Sequence, residues 1–485
     1  MKRFGLLWAV LLGMMGSVWA QTNIRIHGTT VNGEGRTIEL YKYSDALSHQ
    51  EVLIDEAVIG ENKAFELKGY ANYPMRVFVQ IENYSQSFYV EPGKDYEIYI
   101  PRFDWNIDER KNVYLSPEAL TVEFVGLKGN DLNFLIDRFD RVVDSFITAN
   151  RAAFDVKYHP QKRYFDTLDS MVNKMLPDGE NEFFDRYKLY QLAQLKYNLH
   201  FETRRNLVYK YIKGNPILYY DENYMQFVTT LFANSVSKGN KYVTAHQLQR
   251  WVSHNNLEMM IDSMGTDPLL RNEQLRELVA LQALKEAFNN GRMYDRDEVR
   301  AMIEKLARKT KFGDHRVLAQ NMLKQCSRME RGSEVPRFSL PDVDKNMVGL
   351  DEFKGKWVYL SFVRVGDPNS ISEIETLAHF KDSVYAASKN VAFVTIVCDR
   401  EFQKMYHFLK NTRKGEKYNW TWLHFNNNFK LLEHYKVVSY PTFLLINPEG
   451  KLQYNVTPAP ASGFLLSPPW IDKKQDQEKK FFLGQ

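Results

Sequence analysis

WVYLSFVRVGDPNSISEIETL, residues 357–377, is the stretch that decides the fold class of the C-terminal part of the chain. Its first seven residues form a nearly continuous apolar run, which is typical of a strand buried on both faces of a sheet. A polar loop follows, and beyond Ser370 the pattern changes to the period of a helix. A buried strand that leads into a helix in this way indicates an α/β arrangement.

Two further apolar runs, residues 391–398 and 442–446, predict two more strands of the same sheet. Crossover helices are predicted over residues 370–387, 401–411 and 428–435. Prolines interrupt the segment that follows, so a final helix is predicted to be shortened to one turn or to be absent. These prolines are Pro458, Pro460, Pro468 and Pro469.

Towards the N-terminus the hydrophobic pattern changes twice. Ile24 and Ile26 alternate with the polar Arg25, and similar short runs up to Pro101 predict a compact antiparallel β-sandwich. From about residue 130 the period is helical, which predicts an irregular all-α domain of about eight to ten helices. One of these helices is predicted to start at the cap Asp267. The chain is therefore predicted to be a multidomain α+β protein, with a signal peptide over residues 1–20, a β-sandwich over 21–125, a helical domain over 126–334 and an α/β domain over 335–485.

Composition and charge exclude several classes of function. The 485 residues include 64 lysines and arginines against 60 aspartates and glutamates, a net charge of +4. This near balance excludes nucleic-acid binding that depends on bulk charge. Two cysteines exclude a disulfide scaffold, a multi-cysteine zinc site and a cysteine-ligated iron–sulfur cluster. Because the sequence also lacks metal-binding, phosphate-binding and hydrolase motifs, no cofactor and no metal are predicted.

Residues 1–20 have the pattern of a cleavable secretory signal. Lys2 and Arg3 precede an apolar run that ends at Trp19, and this run is shorter than the ~20 residues that cross a bilayer. Val18 and Ala20 stand at the positions that a signal peptidase recognises. No cysteine lies near this point, so a lipid anchor is not expected. The mature chain is predicted to be periplasmic or secreted, without a membrane span.

Four short patterns in residues 335–485 resemble a known family. They are VPRFSLPD at 335–342, FKGKWV at 353–358, YKVVSYPT at 435–442 and NPEGKL at 447–452. In this order and spacing they resemble the thioredoxin-fold proteins of the periplasmic TlpA/ResA kind, which are related to AhpC/TSA. The resemblance implies a thioredoxin-like C-terminal domain, thiol–disulfide chemistry after its first central strand, and a loop with a cis-proline, here Pro441.

The cysteines of that chemistry are missing from this chain. The family carries a Cys-x-x-Cys pair, and a gapless alignment on Phe362, Glu373 and Leu377 places Asp367 and Ser370 at the two cysteine positions. Exchange needs a thiolate and a second sulfur, so the dithiol site is predicted to be degenerate. Asp367 is expected to cap the following helix instead. A capping box formed by Ser370 and Glu373 is the alternative start.

Two cysteines remain elsewhere. Cys398 is predicted at the end of the strand adjacent to the degenerate site, and so close to it. One alternative is exchange or peroxide chemistry by Cys398 alone; the other is a buried and inert thiol, since free cysteine is among the most buried residue types. Cys326 precedes the C-terminal domain, and whether it pairs with Cys398 is open.

The sequence therefore predicts no catalytic residue and a protein that binds or assembles. Tyr440, Pro441, Thr442 and Glu373 are the expected binding residues, because the resemblance implies that the cis-proline loop hydrogen-bonds an extended segment. The expected partner is a peptide or an envelope protein, and nucleic acid is not expected. The alternatives are a thiol–disulfide oxidoreductase or peroxide-reactive protein that uses Cys398 alone, and a structural envelope protein.

Overall fold

The computed structural model describes residues 22–105, 118–155, 157, 160–383, 390–410, 417–454, 457–466 and 469. The predicted signal peptide lies outside these residues. Within them, an N-terminal pair of sheets is followed by a helical middle part and by a C-terminal sheet flanked by helices, as the hydrophobic patterns predict.

The described residues of the N-terminal part form nine strands. They are β1 (Ile24–Thr30), β2 (Thr37–Tyr43), β3 (Glu51–Val58), β4 (Ala64–Gly69), β5 (Met75–Ile81), β6 (Tyr84–Val90), β7 (Asp95–Ile100), β8 (Glu118–Ala119) and β9 (Glu123–Phe124). One sheet has the order β4-β1-β7-β9 and the other β3-β2-β5-β6-β8. The inward side chains of both sheets, such as Ile26 and Leu40, share one hydrophobic cluster, so the two sheets pack as a sandwich.

The sandwich is antiparallel with two exceptions. Strand β1 pairs in parallel with β7, and β6 pairs in parallel with β8. In the first pair Gly28 lies opposite Ile98, and a Cβ atom at Gly28 would come within 2.2 Å of the Ile98 carbonyl oxygen. Glycine is therefore needed there, because the two backbones approach too closely for a side chain.

The middle part contains eleven α-helices among the described residues, slightly more than the pattern predicts, because two of them have four residues each. They are α1 (Leu132–Ala149), α2 (Arg151–Phe154), α3 (Lys162–Met175), α4 (Glu182–Asn198), α5 (Arg204–Leu207), α6 (Glu222–Phe232), α7 (Ala245–Ser253), α8 (Leu257–Met264), α9 (Glu273–Asn289), α10 (Arg296–Lys309) and α11 (Gly313–Cys326). Within the described part of the chain, no helix is both long enough and apolar enough to cross a bilayer.

The helix start predicted at Asp267 is wrong in its position. The Asp267 carboxylate accepts the Leu269 N–H at 2.9 Å, but it caps a 3₁₀ turn, Pro268–Leu270. Helix α9 begins later, where the Asn272 side chain accepts the Leu275 N–H at 2.9 Å. Both residues are good caps. The 3₁₀ turn that Asp267 caps ends at Leu270, before α9 begins, so the long helix starts at the second cap and not at the first.

The C-terminal sheet has the order β14-β13-β12-β15, with a short β10–β11 hairpin in front of it. The elements are β10 (Ser339–Pro341), β11 (Met347–Gly349), β12 (Trp357–Val363), α12 (Pro368–Ser383), β13 (Val391–Val397), α13 (Phe402–Lys410), β14 (Thr421–His424), α14 (Phe429–His434) and β15 (Thr442–Ile446). Strands β12, β13 and β14 are parallel, and β15 is antiparallel to β12. Apart from Trp357, every residue of β12 is buried, which agrees with its continuous apolar sequence.

The described part of the tail forms two 3₁₀ turns, Pro460–Ser462 and Phe464–Leu466. The Leu465 side chain is fully buried in one hydrophobic cluster with Tyr359 and Phe443. The Tyr359 hydroxyl donates a hydrogen bond of 2.8 Å to the Pro458 carbonyl oxygen. The described part of the tail, up to Leu466, therefore covers one face of the C-terminal sheet without a regular helix.

The sandwich contacts both other parts of the molecule. Its buried Trp105 belongs to the same continuous hydrophobic cluster as Leu423 and Phe429 of the C-terminal part. The loop after β2 inserts Leu47 into a cluster of the helical part, where Lys285 donates a hydrogen bond to the Leu47 carbonyl oxygen. These contacts place the sandwich between the other two parts.

Candidate functional site

The site predicted from the sequence lies where β12 ends and α12 begins. The Asp367 carboxylate accepts hydrogen bonds from the backbone N–H and from the hydroxyl of Ser370, each at 2.8 Å. The first of these bonds satisfies an N–H group at the start of α12, which would otherwise lack a partner. The prediction that Asp367 caps this helix is confirmed.

Ser370 is buried inside the first turn of α12. The Ser370 hydroxyl donates a hydrogen bond to the Asp367 carboxylate, and its oxygen accepts the Arg364 N–H at 3.3 Å. Ser370 therefore links the preceding loop to the start of the helix. The alternative capping box, with Ser370 as the cap, is wrong because the helix already begins at Pro368. Glu373 accepts the Ala461 N–H at 2.9 Å and so contacts the tail of the domain.

The loop of Pro441 lies beside this helix start. The Tyr440–Pro441 peptide bond is cis, as predicted. The Arg364 guanidinium lies over the Tyr440 ring, 5.6 Å from its centroid, and joins the two loops through a cation–π contact. Thr442 is the first residue of β15, opposite Phe362, and its hydroxyl donates to the Ser439 carbonyl oxygen at 2.6 Å.

Cys398 follows β13 directly and lies close to the same loops. Its N–H donates to the Val363 carbonyl oxygen at 2.8 Å, and its side chain is 3% exposed. Burial raises the pKa of the Cys398 thiol, and the negative charge of Asp399 adds to this; a hydrogen bond with Tyr440 and the charge of Arg364 act in the opposite direction. The thiol therefore lies near Asp367 and Ser370, and its burial keeps its pKa above the ordinary value.

Cys326 lies elsewhere, at the end of α11. It belongs to a hydrophobic cluster of the helical part, whereas Cys398 belongs to the cluster shared by the sandwich and the C-terminal sheet. Burial raises the pKa of the Cys326 thiol to about 11. Both thiols are free, so the disulfide that the sequence left open does not form in this structure.

Two side chains, those of Asp399 and His424, support the site from behind. The buried Asp399 carboxylate accepts the Val365 N–H at 2.7 Å, which fixes the loop before Asp367. His424 accepts the Asn426 N–H on Nδ1 at 3.1 Å, so its Nε2 donates to the Asp399 carbonyl oxygen at 2.7 Å. Burial lowers the pKa of His424, which keeps this ring neutral. The only sequence signal for Asp399 was a charged residue placed directly after an apolar strand.

The structure thus brings Asp367, Ser370, Tyr440, Pro441 and Cys398 to one edge of the C-terminal sheet. It directs Glu373 to the tail and leaves Cys326 in the helical part. Within the described residues, no group of three or more histidine, cysteine, aspartate or glutamate side chains is placed to hold a metal ion. What the site offers is hydrogen-bonding groups, and its one nearby thiol is buried.

Comparisons with known proteins agree with the fold of the C-terminal part. The profile of a family described as thioredoxin-like matches residues 355–452. The thiol-disulfide oxidoreductase ResA of Bacillus subtilis (strain 168) is 29% identical over 133 residues, which are 27% of this chain and 68% of that protein.

Two solved structures resemble the same part of the chain. The thioredoxin domain of a thiol-disulfide oxidoreductase from Bacteroides vulgatus is 26% identical, with a TM-score of 0.23, over 26% of this chain and 86% of that one. A thiol-disulfide oxidoreductase from Bacteroides fragilis NCTC 9343 is 21% identical, with a TM-score of 0.23, over 27% of this chain and 97% of that one. The family match, the similarity to ResA and the fold together identify the C-terminal part of this chain as a thioredoxin-like domain of the TlpA/ResA kind.

Proposed function

We propose that this protein is a binding or assembly protein whose thioredoxin-like domain carries out no dithiol exchange. The observation that carries the proposal is the pair of hydrogen bonds from Ser370 to the Asp367 carboxylate at the two positions that align with the family's cysteines. Oxygen atoms at both positions cannot form a mixed disulfide or resolve one. The scaffold of the family is kept, while its electron chemistry is absent.

The binding face would be the cis-proline loop. Tyr440, Pro441 and Thr442 would offer backbone groups to an extended peptide or to a segment of an envelope protein. Val438, 52% exposed in the same loop, supports this choice because it offers apolar contact area next to the polar backbone. An assembly role predicts stable, stoichiometric partners in a pull-down from the native envelope, whereas transient binding of peptides does not.

The second candidate is an oxidoreductase that uses Cys398 alone, and the closeness of Cys398 to Tyr440 is the observation in its favour. Its burial and its raised pKa weigh against it, since the thiolate is the reactive form. Titration with a thiol reagent separates the two candidates. Fast reaction of Cys398 in the native protein would support the oxidoreductase, and reaction only after unfolding supports the binding protein.

We also propose that the protein acts in the periplasm or outside the cell, with the domain boundaries given above. The support is the signal pattern of residues 1–20. Mass spectrometry of protein from the native host tests this proposal directly. A mature N-terminus at Gln21 is expected, and retention of residues 1–20 would overturn it.

The function itself is tested by insulin reduction and by peroxide consumption with the purified mature chain. We expect no turnover above the rate of the reductant alone, because neither aligned position carries sulfur. Turnover at the rate of an active thioredoxin would overturn the proposal. If turnover is seen, the same assays with the Cys398→Ala variant show whether the Cys398 thiol causes it.

A further inference from the structure

A polar cleft lies away from the cis-proline loop, where the sandwich meets the other two parts of the molecule. Its floor is the outer face of strands β2, β5 and β6, and α14 of the thioredoxin-like domain forms one wall. The cleft has a volume of about 330 Å³. This volume is at the lower end of those typical of small-molecule sites. Arg76 closes the other side, where it is bound by Glu222 of helix α6.

The hollow exists because small side chains occupy the middle of the floor. Ser85 and Ser87 lie opposite Gln80 and Phe78 in the pairing of β5 with β6, and all four line the cleft. Serine leaves the space that a larger side chain on this face of the sheet would fill. The base of the cleft therefore carries hydroxyl and amide groups, of which the Ser87 oxygen accepts from Arg76 at 3.0 Å and the Gln80 amide nitrogen donates to the Glu82 carbonyl oxygen at 2.7 Å.

The charges that line the cleft neutralise one another. Arg76 pairs with Glu222 at 3.0 Å, and Lys430 pairs with Glu51 and, at 3.1 Å, with Glu433. Among the charged residues that line the cleft, two are basic and two are acidic, namely Arg76, Lys430, Glu51 and Glu433. A strongly charged ligand would have to break these pairs, so the cleft favours a neutral one.

Aromatic rings complete the surface. The Tyr43 ring is 36% exposed and lies 5.3 Å from the ring of Phe78, centroid to centroid. An exposed ring can contact the C–H face of a ligand while neighbouring hydroxyl and amide groups form hydrogen bonds with the polar edge of the same ligand. A peptide strand fits less well, because β2 and β5 are internal strands whose backbone groups are already paired on both sides.

We propose that this cleft binds a neutral, hydroxyl-rich ligand, a short oligosaccharide of about two sugar rings by the volume available. Tyr43 would stack on one ring, and the side chains of Gln80, Ser85 and Ser87 would hydrogen-bond its hydroxyl groups. The site is distinct from the cis-proline loop and does not depend on the function proposed there.

An array of neutral glucans, mannans, galactans and chitooligosaccharides, probed with the mature chain and followed by calorimetry of the glycans that bind, tests the proposal. We expect binding to at least one of these classes. Tyr43→Ala should weaken it about tenfold, the scale of one lost aromatic contact. Ser85→Trp should abolish it by filling the hollow, and Ser253→Trp on the exposed surface of α7 should leave it unchanged.

Circular dichroism first establishes that each variant is folded, and Tyr43→Ala carries the test alone if Ser85→Trp is not. Failure of every neutral glycan class to bind at millimolar concentration would overturn the proposal. So would binding that neither Tyr43→Ala nor Ser85→Trp weakens, or tighter binding of a short peptide or of an anionic glycan at the same residues. None of these results depends on the outcome of the insulin assay.

Discussion

Arg400 and Glu82 form a buried ion pair between the loop that follows β13 and the turn that joins β5 to β6. The Arg400 guanidinium also donates to the Trp105 carbonyl oxygen, and Glu82 is paired with Arg36 as well. The residue before Arg400 is Asp399, which holds the Val365 N–H in the loop before α12. The sandwich is therefore linked through two consecutive residues, Asp399 and Arg400, to the loop that precedes Asp367.

Replacing Arg400 with alanine should lower the free energy of unfolding by about 2 kcal/mol, because it leaves the Glu82 carboxylate buried with one partner fewer. A larger loss, of about 3–5 kcal/mol, is typical where the remaining charge has no other partner, but Glu82 keeps Arg36. Urea unfolding at neutral pH, followed by circular dichroism, measures the change.

Arg337→Ala is the matched control. Arg337 lies 3.6 Å from Asp351, and both side chains are more than half exposed. An exposed pair of this kind contributes less than about 1 kcal/mol, so the expected loss is small. Equal losses for the two variants would contradict a special role for the Arg400–Glu82 pair.

Asp367→Ala should lower the free energy of unfolding by about 1 kcal/mol through loss of the helix cap. The Ser370 hydroxyl, buried in the native protein, would also lose its acceptor. Asp367→Asn keeps an oxygen acceptor at the same place and should lose less. Thermal unfolding of the three proteins gives the order wild type, asparagine, alanine, and an asparagine variant as unstable as the alanine variant would contradict capping by the carboxylate oxygen.

Because burial raises the pKa of the Cys326 thiol, the free energy of unfolding should change with pH in the alkaline range. Burial raises the pKa of the Cys326 thiol from about 9 to about 11 in the folded protein. Because the folded state holds its proton longer, this thiol's contribution is complete below pH 9 and is lost as the pH rises to about 11. Cys326→Ala should therefore lose less unfolding free energy than wild type over this interval in urea titrations at several pH values. Parallel curves for the two proteins would be the contrary result.

The features that the sequence predicted well are local ones. Strand β12 matches the apolar run of Trp357–Val363, and the capping role of Asp367 depends on residues three apart in the chain. The cis peptide bond before Pro441 was expected from resemblance to the family, and it is present. Such features depend on neighbours in the chain, so a single sequence contains them.

The features that the sequence did not predict depend on contacts between distant residues. Nothing near Arg400 in the chain indicates that its partner is Glu82 in the sandwich. Strand β14, Thr421–His424, is too short to show a period, and its pairing with β13 defines it. The covering of the sheet by Leu465 was also missed, because the prolines of the tail predict only where a helix cannot form.

Two neighbouring leucines of the tail differ in their burial. Leu465 is fully buried against the sheet, whereas Leu466, next in the chain, is 59% exposed. Leu465→Ala should lower the free energy of unfolding by about 3 kcal/mol, as for other buried leucines, and Leu466→Ala by less than about 0.5 kcal/mol, as for surface positions. Urea unfolding of both variants measures the two losses, and similar values would mean that the tail does not cover the sheet in solution.

Cysteines at positions 367 and 370 would give this domain the two sulfur atoms of the family's Cys-x-x-Cys pair. In the double variant Asp367→Cys/Ser370→Cys, the two thiols should lie within reach of each other, because the native side chains at these positions are already hydrogen-bonded at 2.8 Å. The start of the 16-residue helix α12 would stabilise the thiolate at position 367. We therefore expect insulin reduction by the double variant and none by the wild type.

The single variant Asp367→Cys separates scaffold from chemistry. It can attack a disulfide but has no second thiol to release the mixed disulfide, so it should form adducts with substrate and show no turnover. Activity in the double variant alone means that the scaffold remains competent and that sulfur is all it lacks. An inert double variant would mean that the cis-proline loop and the helix start have diverged further than the two substituted positions. The gapless alignment of Phe362, Glu373 and Leu377 to the family's pattern would then no longer explain the site.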